Sequence, residues 1–112
     1  MNLKIRAENI DLANALKSYV ERRLHFSLSR FGDRLGLITV RISDLNGPRG
    51  GIDKACRISA ELVPFGSVRV EDVDADLYTA IDRAAERLGR SFGRKLERAI
   101  ESRRGRESVR TP

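Results

Sequence analysis

A chain of 112 residues is enough for one domain with one modest core. It carries 22 Lys and Arg against 16 Asp and Glu, a formal net charge of +6, which favours an acidic partner, nucleic acid before an anionic membrane. A single cysteine excludes an internal disulfide, and the absence of Trp argues against base-stacking platforms. No apolar run approaches a membrane span and no secretory core follows Met1 to Ala7, so a cytoplasmic protein with no membrane partner is expected.

Asn2 to Ala7 alternates, with Leu3, Ile5 and Ala7 on one side and Asn2, Lys4 and Arg6 on the other. This predicts a half-buried strand. Asn9 or Asp11 is then expected to cap a helix. Leu12, Leu16, Tyr19, Val20, Leu24, Leu28 and Phe31 recur at helical spacing as far as Gly32 and Asp33. Lys17, Arg22 and His25 point away from that stripe, while Arg23 and Arg30 lie at its edge, where long side chains snorkel. Leu37 to Asp44 alternates again, with Ile38, Val40 and Ile42 inward. Asn46 to Gly51 reads as a loop. Lys54 to Val63 and Val68 to Val73 predict two more strands, joined by a turn at Pro64 to Ser67.

The stretch from Asp76 to about Arg104 organises the rest. Asp74 or Asp76 is placed to cap its helix. Leu77, Ile81, Ala84, Ala85, Leu88, Phe92, Leu96 and Ala99 form one stripe. Arg83, Arg87, Arg90, Arg94 and Arg98 form another, roughly 140° away at 100° per residue, and Lys95 extends it on one side. Gly89 and Gly93 flank the apolar stripe and predict close approach of the first helix. From Ser102 the periodicity ends, which predicts a disordered basic tail over 102–112 after a domain of 1–101.

The order is β-α-β-β-β-α. The expected class is α+β: a four-stranded mixed sheet with two helices on one face. The first two strands should be parallel and the last three an antiparallel meander. The open face should be polar, carrying Lys4, Arg6, Thr39, Arg41, Arg57, Glu61 and Arg69.

Catalysis finds little support. The single histidine, His25, falls on an exposed face, and Cys56 faces the core. Asp72, Asp74 and Asp76 stand at alternate positions like the start of a calcium loop, but Leu77 and Arg83 occupy the places of its glycine and closing Glu. The glycines around Arg49 join two strands and open no helix, which suits a hairpin loop better than a phosphate cradle. No cofactor, metal or small-molecule substrate is expected. The arginine stripe is the strongest signal, because guanidiniums pair bidentately with phosphate oxygens and a helix spaces them one turn apart. Structured RNA suits such a surface.

Leu16 to Leu24 in the first helix, and Asp76-Leu77-Tyr78-Thr79-Ala80-Ile81-Asp82 before the basic helix, resemble the ribosome hibernation-promoting factors. This family is also called ribosome-associated inhibitor or sigma-factor modulation proteins. The resemblance runs from Met1 to about Ile100 and is to the short form. It implies a fold like a double-stranded-RNA-binding domain with an extra first strand. It also implies binding to the small ribosomal subunit between head and body, where mRNA and tRNA anticodon ends would sit. By position it assigns rRNA contact to Arg87, Arg90, Arg94 and Lys95 of the last helix and to Arg22 and Arg23 of the first; Arg83 and Arg98 come from the stripe alone. His25 and Phe26 replace a pair usually richer in Lys. The chain lacks the second domain by which long members pair ribosomes, so pairing is not expected of it. A generic structured-RNA module and a regulatory protein docking an acidic protein surface are the rival readings.

Overall fold

Period-two alternation gives four strands with one apolar face each, and those faces must leave water together. A computed structural model of the chain, describing residues 1–45 and 53–109 with side chains to 104, shows how they do so. Strands β1 (Leu3–Glu8), β2 (Leu35–Asp44), β3 (Lys54–Leu62) and β4 (Gly66–Asp74) form one sheet in that spatial order. β1 runs parallel to β2, pairing Leu3 with Ile38 and Ile5 with Val40. β2, β3 and β4 follow as an antiparallel meander. Helices α1 (Asn14–Leu28) and α2 (Leu77–Val109) cover the apolar face, completing the α+β, β-α-β-β-β-α arrangement.

The core lies between sheet and helices. Ile38, Val40 and Ile42 of β2 and Cys56, Ile58, Ala60 and Leu62 of β3 are buried against Leu16, Val20, Leu24 and Leu28 of α1. Ala80, Ile81, Ala84, Ala85, Leu88 and Phe92 of α2 complete it. Each fully buried large side chain contributes about 1.5–3 kcal/mol. The two helices pack closely because Gly89 lacks a side chain. A Cβ there would stand 3.0 Å from the carbonyl oxygen of Ser27 on α1.

Three local expectations are corrected. Neither Asn9 nor Asp11 caps α1. Its cap position is Ala13, without a side-chain hydrogen bond, and Asn9 instead takes a left-handed turn conformation at φ 59°. The apolar run after α1 ends in a tight 3-10 turn, Ser29–Arg34, where Gly32 (φ 52°) turns the chain into β2. The disordered basic tail expected from Ser102 is helical as far as Val109, where α2 ends. Its last apolar positions do not set its end, because a helix extended from a packed stem needs no further burial to propagate. The Asn46–Gly51 loop, with Arg49, and residues 110–112 lie outside the described residues.

Candidate nucleic-acid interface

Asp76 starts α2. Its carboxylate accepts from the Tyr78 backbone N–H at 3.2 Å and from the Thr79 hydroxyl at 2.9 Å, and Asp74 accepts from the Asp76 N–H at 3.4 Å. These acids satisfy free amides at the positive end of the helix dipole. Once α2 is started, its apolar stripe fixes its rotation. Phe92 is fully buried and meets the Phe31 ring with centroids 4.6 Å apart. The arginines are thereby turned outward: Arg83, Arg87, Arg90, Arg94 and Arg98 are all exposed.

They are not equivalent. α2 lies over β3 and β4, and the acids of β4 reach its first turns. Arg83 sits 3.5 Å from Asp74 and 4.0 Å from Asp72. Arg87 donates to the Glu71 carbonyl oxygen at 2.7 Å and to Asp72 at 3.3 Å. Arg90 faces Glu86 one turn back, at a loose 3.9 Å. Beyond it the acids of β4 no longer reach the stripe. Among the described residues no ion pair holds Arg94 or Arg98. Sequence spacing anticipates the stripe but not this gradient, because Asp72 and Asp74 reach it from another element. Lys95 turns off the stripe altogether and donates to the Ser67 carbonyl oxygen at 2.9 Å, tying α2 to the β3–β4 turn.

The predicted α1 residues separate in the same way. Arg23 Nε lies 3.0 Å from Asp82 on α2 and its guanidinium rests 5.9 Å from the Phe26 ring centroid. Tyr19 donates its hydroxyl to the same Asp82 and meets Tyr78 edge-on at 4.8 Å. That hydrogen bond, then burial, and then the Asp82 charge hold the Tyr19 hydroxyl above its ordinary range, against smaller opposing effects of Arg23 and Arg22. Arg23 is thus a clamp between the helices. Arg22 is exposed, 5.8 Å from the Tyr19 ring centroid, and lines a different hollow with Met1, Leu3 and His25.

The structure adds one residue to the α2 groove. Arg30, which the sequence places at the edge of the α1 stripe, stacks 4.6 Å over Phe31 and donates to the Gly89 carbonyl oxygen at 3.4 Å. It lines a shallow groove with Arg90, Gly93, Arg94 and Glu97. A Cβ on Gly93 would lie 3.9 Å from the Arg30 guanidinium and 3.6 Å from the Phe31 ring. The two glycines were the available signal: where helices meet at Gly89 and Gly93, the residue facing them across the interface shares their surface. Three arginines therefore converge where α1 ends, and one carboxylate, Glu97, borders them.

Other chemistry is remote from this groove. Cys56 is buried in β3, and that burial pushes its thiol up to about 12, so it stays protonated and unreactive. Asp72 and Asp74 hold arginines while Asp76 caps, and no group of metal ligands forms among the described residues.

Fold and surface together define the class: a small α+β domain that displays a cationic helix along one side of a two-layer core. The chain belongs to the family described as Sigma 54 modulation protein / S30EA ribosomal protein, which matches residues 3–106. It is similar to a ribosome hibernation promotion factor from Deinococcus radiodurans, 27% identical over 103 residues. That match covers 89% of this chain but 51% of the relative, so the chain spans about half that protein's length. A ribosome hibernation promoting factor from Azotobacter vinelandii is 28% identical over 114 residues, covering 100% of this chain and 98% of the relative. Among solved structures, the N-terminal domain of Thermus thermophilus Protein Y superposes with a TM-score of 0.70 at 36% identity, covering 84% of this chain and 98% of that one. A ribosomal subunit interface protein from Coxiella burnetii has the same fold, with a TM-score of 0.70 at 17% identity over 87% of this chain and 99% of that one.

Proposed function

We propose that this protein is a ribosome-binding regulator of translation that holds the small subunit idle. In this reading α2 lies against small-subunit rRNA in the decoding region, and the bound domain excludes mRNA and tRNA. It acts by occupancy and carries out no reaction. Membership of the family and the hibernation factors among its relatives support the ribosome as partner. The observation that carries the RNA contact is the convergence of Arg30, Arg90 and Arg94, with Arg98 beyond them, on a rigid surface with few local acids. Guanidiniums held only loosely or not at all by protein acids are available to phosphate, which they grip in pairs of parallel hydrogen bonds. Their placement on a helix suits the regular backbone of folded RNA, which is recognised by shape more than by sequence.

Co-sedimentation with small ribosomal subunits across a salt series tests the proposal. The protein should travel with the subunit at low salt and be released as salt rises, since each neutralised phosphate adds about 0.7–0.9 to the log–log slope. Charge reversal at Arg90, Arg94 and Arg98 together should abolish binding and leave the thermal melt almost unchanged. Wild-type protein that remains unbound at low salt would exclude the ribosome as its partner. Equal affinity for an isolated RNA duplex would favour the generic RNA module instead.

A further inference from the structure

The side of the molecule away from both helices carries a second cationic patch. Strand register places Arg6, Arg41 and Arg57 directly opposite one another on β1, β2 and β3, with Glu71 closing the row on β4. The adjacent row reads Lys4, Thr39, Ser59 and Arg69. With strands about 4.8 Å apart, five basic side chains occupy a patch about 14 Å by 7 Å. Glu71 pairs with Arg57. Lys4, Arg6, Arg41 and Arg69 have no ion partner among the described residues. The remaining acids of this face, Glu8 and Glu61, lie outside these two rows.

This is not how a merely solvated sheet face is built. Like charges directly opposite across strands destabilise the sheet, whereas opposite charges there would stabilise it. Three arginines in one row therefore cost stability unless an anion joins them. Thr39, Arg41, Arg57, Ser59, Arg69 and Glu71 line a shallow hollow in the middle of the patch. The guanidiniums and hydroxyls among its lining residues are the donors that phosphate oxygens accept.

We propose that the open sheet face is a second RNA-backbone surface, so that the domain is held between two RNA segments, one on each side. The inference rests on the RNA-binding reading of α2 and adds a face to it. The occupant follows from the side chains. The two rows hold no aromatic residue, so bases are not stacked there, and hydroxyls of Thr39 and Ser59 suit phosphate and ribose 2′-OH. The large exposed apolar residues, Met1, Phe26, Leu45, Val63 and Tyr78, all lie outside these rows. A protein partner would need an apolar anchor in the patch, and a membrane surface would need apolar side chains to insert.

The test uses the full chain and intact small ribosomal subunits. The variant Lys4→Gln/Arg41→Gln/Arg69→Gln should bind with a log–log salt slope shallower by about two to three, and its melting temperature should not fall. A photo-crosslinking amino acid at Ser59, and separately at Arg94, should map to two different rRNA segments. An unchanged slope, or crosslinks from position 59 to protein alone, overturns the second surface. If the α2 charge reversal abolishes binding while the sheet variant changes nothing, this inference fails and the function proposed above stands. If neither variant alters binding, both fail.

Discussion

The two halves of α2 are written in the same residues and do different things. In the first half, Arg83 and Arg87 are held by Asp72 and Asp74 and by the Glu71 carbonyl group, and Asp82 gathers Tyr19 and Arg23 from α1. In the second half, Arg94 and Arg98 extend without ion partners among the described residues, and Arg30 joins them across the helix interface. A stripe of identical charge is thus divided into a structural end, which docks the helix, and a free end, which is available to a ligand. The division is made by β4, whose acids run alongside the first turns only.

Removing the core that both halves share should have the largest effect. Phe92 lies beneath the free half and is fully buried against Phe31. Phe92→Ala should cost about 3–5 kcal/mol, read by chemical denaturation, and should loosen the groove around Arg30. A small loss would mean that the free half does not depend on core packing for its orientation.

A smaller effect isolates the structural end. Tyr19→Phe removes the hydroxyl that donates to Asp82 and should cost about 1–2 kcal/mol, since the acceptor is charged. Its pH dependence has a definite sign. The folded state raises the Tyr19 pKa above its ordinary 10.0 and so favours the neutral phenol. That contribution is complete below the unfolded value and is lost as pH rises through the folded one. The stability gap between wild type and Tyr19→Phe should therefore be constant near neutrality and shrink above pH about 10. A gap that widens with alkalinity would contradict the assignment.

The smallest effect sharpens the boundary between the halves. Asp74→Asn removes the nearer of the two acids beside Arg83, an exposed pair worth at most about 1 kcal/mol, and leaves Asp72 at 4.0 Å. Stability should scarcely change, while affinity for RNA should rise up to about fivefold as the Arg83 guanidinium is held less closely and one local negative charge is lost. A decrease in affinity would show that the pairing presents Arg83 and does not occupy it.

Much of this was legible in the sequence, for a definable reason. Strand alternation and the 3.6-residue stripe are local patterns, so Ile38, Val40 and Ile42, or Ile81, Leu88 and Phe92, announce their burial without reference to other elements. The cap at Asp76 and the close contact at Gly89 are legible for the same reason. What was not legible depends on side chains that meet across elements. Lys95 reaches Ser67, Arg87 reaches β4, Arg23 reaches Asp82 and Arg30 reaches Gly89, each bridging positions distant in the chain. Helix spacing predicts where such residues point but not who is waiting there. The start of α1 was missed for a different reason: Asn9 uses its tolerance of positive φ in a turn rather than its capping oxygen.

In the proposed function the free end of the stripe binds RNA while the other end anchors the helix. The most direct measurement compares Arg94→Gln/Arg98→Gln with Arg83→Gln/Arg87→Gln in salt-dependent binding to small ribosomal subunits, with melts run in parallel. The first pair should flatten the log–log slope by about two and leave the melt unchanged. The second should lower the melting temperature and change the slope little. The reverse pattern, with slope lost at Arg83 and Arg87 and retained without Arg94 and Arg98, would contradict the account.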